Sequence, residues 1–170
     1  GLVFVLDRPP IVRSDQNAGW ASIPNLNGII KSYGNGQFSI STDSYGRRVL
    51  YADEDSIPVS APSIILVGDS FVQGIGVRDE ETFAWRLARA LPQSRFINLG
   101  VAGYGTDQEL IQLETYFSAS GAGSVNNIVV LVFENDFIDV QQMYNPFLGR
   151  SKPTFSLEGG SLTRIAFNLS

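Results

Sequence analysis

The chain has 170 residues, is 44% hydrophobic and carries a formal charge of −5; that is enough to bury the core of one domain and the wrong sign for non-specific nucleic-acid binding. It has no cysteine and no histidine, which excludes disulfides, thiolate or histidine metal sites and any serine–histidine pair within these residues. No apolar run is long enough to cross a bilayer.

Residues 1–61 carry much of the proline and glycine and show no long helical period. The opening Gly1-Leu2-Val3-Phe4-Val5-Leu6 lacks the charged start and cleavage site of a signal peptide. It reads as a strand, with the stump of a membrane anchor as the second reading. Pro9-Pro10, Pro24-Asn25, Asn27-Gly28 and Gly34-Asn35-Gly36 are turn signals. Between them Gln37-Phe38-Ser39-Ile40-Ser41 alternates like a half-buried strand. Asp43-Ser44-Tyr45-Gly46 predicts a turn, and Arg47 to Tyr51 a second short strand. Asp53-Glu54-Asp55 does not have calcium-loop spacing and reads as a solvated acidic turn. We take 1–61 as a β-rich extension packed on a main domain, 62–170.

From Pro62 the pattern becomes βαβαβ, which predicts a parallel sheet. The first strand is Ile64 to Val67. A helix capped by Asp79 follows, with Ala84, Leu87, Ala88 and Leu91 as its apolar stripe and Pro92 as its end. Arg95 to Leu99 is the second strand. Thr106-Asp107-Gln108-Glu109 has the form of a capping box, opening a helix with Leu110, Leu113 and Phe117 on one face and Gly121 at its end. Ile128 to Phe133 is a continuous apolar run, as in parallel strands buried on both faces.

Each strand ends in small or polar residues: Gly68-Asp69-Ser70, then Gly100 to Gly105, then Glu134-Asn135-Asp136. A parallel sheet sets these ends side by side, where open α/β sheets place their chemistry. Ser70 supplies a hydroxyl, Gly103 an unobstructed backbone N–H and Asn135 an amide donor. A nucleophile beside two donors suits acyl transfer, in which charge develops on the carbonyl oxygen.

Here the sequence resembles a family, the SGNH (GDSL-type) hydrolases, esterases and lipases. Gly68-Asp69-Ser70 matches its first block, Asn98-Leu99-Gly100-Val101-Ala102-Gly103 its second and Phe133-Glu134-Asn135-Asp136 its third, with Phe133 where glycine usually stands. The resemblance runs from about Pro62 to Asp139. It implies a flavodoxin-like three-layer α/β/α fold whose parallel sheet has the Ile64 strand between those of Phe96 and Ile128. It also implies a serine hydrolase acting on a small-molecule ester or an acylated carbohydrate. In that reading Ser70 is the nucleophile, and Gly103 and Asn135 form the oxyanion hole; no cofactor and no metal are called for.

The family's C-terminal aspartate and histidine, three residues apart, have no counterpart: there is no histidine, and no aspartate follows Asp139. Asp69 is a poor substitute base, because adjacent side chains point apart. The expectation is therefore an N-terminal portion of a larger hydrolase, an incomplete SGNH fold that is inactive by itself. Lys152 to Ile165 reads as a β-hairpin around Gly159-Gly160, an insertion near 152–166. A membrane anchor is placed outside this segment, and an extracytoplasmic or membrane-associated location is expected.

Three other readings stand beside this one. The same rim could bind an acyl or carbohydrate group without turnover, or transfer an acyl group to a sugar hydroxyl. A flavin- or nucleotide-binding module also suits the strand pattern, but Gly74-Ile75-Gly76 lacks the third glycine of a dinucleotide fingerprint and no phosphate-loop lysine motif is present. Phe83 and Trp85 read as helix packing, and Glu134 as a solvated carboxylate. Tyr104 either lines the site or sits in a surface loop. Asn168-Leu169-Ser170 matches a glycosylation acceptor as chance would.

Overall fold

The computed structural model describes residues 10–33, 36–51, 57–58, 60–120 and 125–165. The N-terminal strand, the Gly34-Asn35 turn, the Asp53-Glu54-Asp55 turn, the Gly121 helix end and the Asn168 acceptor lie outside them.

Two hairpins come first among the described residues. β1 (Val12–Asp15) pairs antiparallel with β2 (Gly19–Ser22), and β3 (Ile29–Tyr33) with β4 (Gly36–Ile40). Asp15 makes the first turn, its Oδ1 accepting from the N–H groups of Asn17 and Ala18. In β4 the expected alternation holds, with Phe38 and Ile40 buried and Gln37 exposed.

The turn at Asp43 forms as expected, its carboxylate accepting from the N–H groups of Tyr45 and Arg47. The strand expected from Arg47 to Tyr51 does not form; only a single bridge, Thr42 to Arg48, is made. The cause is Arg48, 2% exposed. Its guanidinium donates to the carbonyls of Ser39, Gln73, Gly74 and Val77 and to Asp79. The segment is shaped around that buried fork rather than around a ladder.

The sheet is β5 (Ser63–Val67), β6 (Arg95–Asn98) and β7 (Val125–Val130), all parallel, with β5 in the centre. This is the expected strand order. Alternate residues of β5 feed two layers. Leu66 joins Phe96, Val72, Ala84 and Ala88 under α2 (Phe83–Ala90). Ile65 and Val67 join Ile97 and Leu99 under Leu113, Tyr116 and Phe117 of α3 (Thr106–Ser120). Helices on both faces make the three-layer α/β/α arrangement.

Between β5 and α2 lie α1 (Ser70–Gln73) and a 3-10 turn, Asp79–Glu81. Asp79 therefore does not cap α2. Thr82 does, its hydroxyl accepting from Trp85 N–H, while Asp79 is held by Arg48 and Ser41 N–H. On α2 the buried face is Ala84 and Ala88; Leu87 and Leu91 are 37% and 38% exposed, and Phe83 and Trp85 pack on the core instead.

On α3 the reciprocal bond is offset by one residue. Gln108 Oε1 accepts from Gly105 N–H, whereas neither Glu109 oxygen has a partner among the described residues. Leu110 is exposed, and Ile111 turns inward.

β7 differs most from expectation. Ile128, Val129 and Val130 are half-exposed, as are Val132 and Phe133. Among the described residues β7 pairs only with β5, and α2 and α3 cover β5 and β6. A strand that is apolar enough for burial on both faces is thus the edge of the sheet among the described residues.

Beyond β7 come α4 (Asp136–Asp139), the short pair β8 (Tyr144–Asn145) and β9 (Arg150–Ser151), and the expected hairpin of β10 (Thr154–Glu158) and β11 (Ser161–Ile165). Gly159 and Gly160 turn it with φ of 58° and 83°, the left-handed pair of a tight hairpin turn.

Candidate active site

Ser70 is the first residue of a one-turn helix set directly on the end of β5. Gly68 has no room for a side chain: a Cβ there would meet Leu131 O at 3.0 Å and Val72 Cβ at 3.2 Å. Asp69 caps the turn, its Oδ1 accepting from Phe71 N–H at 2.9 Å. Gly74 closes it in the left-handed region at φ 79°.

Asn135 stands between β7 and α4. Its Nδ2 donates to Asp69 Oδ2 at 3.0 Å and to Asp139 Oδ2 at 2.9 Å. Asp69 Oδ2 also lies 3.5 Å from Ser70 Oγ, too far for a strong bond. One carboxylate, 1% exposed, thus joins the serine and asparagine ends of two neighbouring strands. Each of its oxygens already accepts a hydrogen bond, and Ser70 Oγ stands beyond strong-bond distance, so it is poorly placed to act as a base.

Gly103 lies on the loop after β6, which is bonded to α1 and to the end of β5. Asn98 Nδ2 donates to Val72 O, Gly100 N–H to Asn98 Oδ1, Val101 N–H to Gly68 O and Ala102 N–H to Gln73 Oε1. Gly100 sits so close to α1 that a Cβ would meet the backbone of Val72 and Gln73. Gly103 has φ 77°, and a Cβ there would meet Asn145 Nδ2 at 2.6 Å. Among the described residues no hydrogen bond joins Gly103 to Ser70 or Asn135.

Tyr104 neither lines the site nor rides a surface loop. It is fully buried, donates to Trp20 O at 2.5 Å and meets the Trp20 ring edge-on; burial pushes its phenol far above the usual range. Glu134 is exposed, as expected of a solvated carboxylate.

Four buried polar residues take roles that the sequence pattern did not assign them. Gln73 and Asn98, each 1% exposed, bind the loops to one another. Lys152, 2% exposed, donates to Asp107 Oδ1 at 2.9 Å and to Asp139 O at 2.7 Å. Glu109 is 3% exposed with both oxygens unpartnered. Burial first, then the charges of Asp136, Asp69 and Asp107, push its pKa up to about 7. Asp136 is also raised, mainly by burial, although Phe133 N–H donates to it at 2.7 Å. For Asn98 and Glu109 the available signal was a polar residue within a strand or helix at a position that packs inward; Gln73 and Lys152 carry no such signal.

Phe133, where the resemblance called for glycine, has a local explanation. Its ring packs on Phe71 with centroids 4.2 Å apart, and both rings are about half exposed. An apolar shelf therefore flanks Ser70 and Asn135.

No family model matches the chain, and no curated protein matches it. Among solved structures it is similar to a mutant of the esterase AlinE4, at 25% identity over 49% of this chain and 46% of that one, with a TM-score of 0.42. It is also similar to AlinE4 itself, described as an SGNH-hydrolase family esterase, at 26% identity over 46% of this chain and 43% of that one, with a TM-score of 0.41. The similarity is partial: the chain spans less than half the length of either structure.

Proposed function

We propose that this chain carries the nucleophile and oxyanion-hole side of an SGNH-type serine ester hydrolase. The observation that carries the reading is the meeting of Ser70 and Asn135 on Asp69, at the carboxyl ends of adjacent parallel strands. In the proposed mechanism Ser70 Oγ attacks an ester carbonyl and forms a covalent acyl-enzyme. The N–H of Gly103 and the amide of Asn135 stabilise the negative oxygen that develops during attack. The Phe71–Phe133 shelf offers apolar surface to the acyl group.

A serine hydroxyl needs a base, and these 170 residues hold no histidine. The surroundings suit a cationic base arriving from elsewhere. Asp69, Asp136, Asp139 and Glu109 crowd the rim, while Lys152 is already engaged by Asp107. Carboxylates at such density favour an imidazolium beside them. The chain alone is accordingly proposed to be a poor esterase, and a histidine outside these residues to complete the site.

A second reading is favoured by Asn135 itself. Both hydrogens of its amide are directed at carboxylates, so it stabilises an oxyanion only if Asp139 or Asp69 releases it. A rim that binds an acylated sugar without turnover has no such requirement.

The test compares hydrolysis of a short-chain aryl ester by this chain and by the protein from its complete reading frame. The proposal expects little Ser70-dependent turnover from the first and clear turnover from the second, lost in Ser70→Ala. Equal inactivity in two folded proteins overturns it in favour of binding alone.

A further inference from the structure

A cavity of about 460 Å³ lies away from Ser70, Gly103 and Asn135, between the β1–β2 hairpin, the Asp43–Arg47 turn and the second half of α3. Its size falls within the roughly 300–1,000 Å³ of small-molecule sites. Arg13, Asp15, Tyr45, Arg47, Gln112 and Tyr116 supply most of its polar and aromatic wall.

Each guanidinium on that wall already has a carboxylate beside it. Arg47 is bonded to Asp43 at 2.5 Å, and Arg13 faces Asp15 at 3.8 Å. These neighbouring carboxylates offset the arginine charges and weaken the wall's preference for a free ion of either sign. What remains available is neutral hydrogen bonding. The Gln112 amide, half-buried, has no hydrogen-bond partner among the described residues and offers both a donor and an acceptor. The Tyr116 phenol offers another hydroxyl. Tyr45 is 71% exposed, and its ring is held by the Arg47 guanidinium 4.9 Å from its centroid.

Vicinal hydroxyls each donate and accept, and the C–H faces of a sugar ring are apolar. A wall of paired ions, an unpartnered amide and held tyrosine rings complements both properties. We propose that this cavity is a binding site for a neutral mono- or disaccharide. The assignment goes beyond the ester chemistry and does not depend on it. A structural path nevertheless joins the two regions. Ser22 lines the cavity, its Oγ accepts from Gln73 Nε2, and Gln73 Oε1 accepts from Ala102 N–H on the Gly103 loop.

The test is titration of the folded chain, by calorimetry and ligand-observed NMR, with cellobiose, maltose and N,N′-diacetylchitobiose, and with glucuronate as the charged comparison. Saturable binding of at least one neutral sugar is expected, weakened at least tenfold in Tyr45→Ala and in Gln112→Ala and unchanged in Ser70→Ala. Both cavity substitutions are at positions that leave the buried core intact. Absence of saturable binding by all three disaccharides overturns the assignment. So does tighter binding of glucuronate, or binding that survives both cavity substitutions. Loss of binding in Ser70→Ala alone would place the sugar at the ester site and equally overturn it. Failure of the ester assay leaves each of these outcomes readable.

Discussion

Asn135 Nδ2 donates to Asp69 Oδ2 across 3.0 Å, connecting the residue that precedes α4 with the residue that caps the helix of Ser70. The two positions are 66 residues apart in the chain. The same carboxylate satisfies Phe71 N–H through its other oxygen, so one buried side chain holds both the helix turn and the asparagine.

Asp69→Ala removes both supports. A lost cap costs about 0.5–2 kcal/mol, and the half-buried Asn135 amide keeps Asp139 but loses Asp69 as an acceptor. Asp69→Asn keeps an oxygen for Phe71 N–H and is expected to cost less. Urea denaturation of the two variants checks the order; equal destabilisation would mean that the cap contributes nothing.

Arg48 is expected to tolerate no replacement. It serves Asp79 and four backbone carbonyls from a side chain that is wholly buried. Arg48→Met removes this donor from four carbonyls and leaves Asp79 with Ser41 N–H, at about 3–5 kcal/mol. Arg48→Lys keeps the charge but loses the fork and is expected to fall between. Midpoints of denaturation decide, and a midpoint for Arg48→Met within experimental error of the parent contradicts the account.

Glu109 gives a pH signature of defined sign. Its folded pKa of about 7 lies above the ordinary carboxylate value, so the folded state holds a proton that the unfolded chain has released. Stability from this group is greatest below about pH 4.5, falls as pH rises to about 7 and is level beyond. Glu109→Gln removes the fall. It is expected to match the parent at pH 4 and to exceed it at pH 8 by on the order of 2–3 kcal/mol. Denaturation curves at the two pH values read the difference, and a variant less stable than the parent at pH 8 contradicts the burial of an unpartnered carboxylate.

Gly100→Ala and Gly103→Ala separate two kinds of glycine requirement. At Gly100 the new Cβ meets backbone that cannot yield, with Val72 C at 2.7 Å. At Gly103 the obstacle is the Asn145 side chain, with φ 77° adding strain. Gly100→Ala is expected to be the more destabilising and to displace α1. Circular dichroism melting distinguishes them, and the reverse order would contradict the close contact between the Gly100 loop and α1.

The parallel sheet, its strand order and the Gly159-Gly160 hairpin were legible because each rests on local pattern: apolar runs, helical spacing and turn residues. That Ser70 and Asn135 come together was legible for a similar reason, since each follows a strand of one parallel sheet. What could not be read depends on distant partners. Arg48 looks like part of a strand until the carbonyls of Gln73, Gly74 and Val77 surround it. Glu109 looks like a capping residue until Gln108 takes that position. The apolar run of β7 predicts burial that only neighbouring elements supply; here α2 and α3 leave it half-exposed.

The most direct measurement of the central claim is covalent trapping with an aryl fluorophosphonate, read by intact mass and peptide mapping on the protein from its complete reading frame. The account predicts a single adduct located at Ser70, absent in Ser70→Ala and slowed about 10²–10³-fold in Asn135→Ala. An adduct on another residue, or none in a protein that hydrolyses esters, would contradict it.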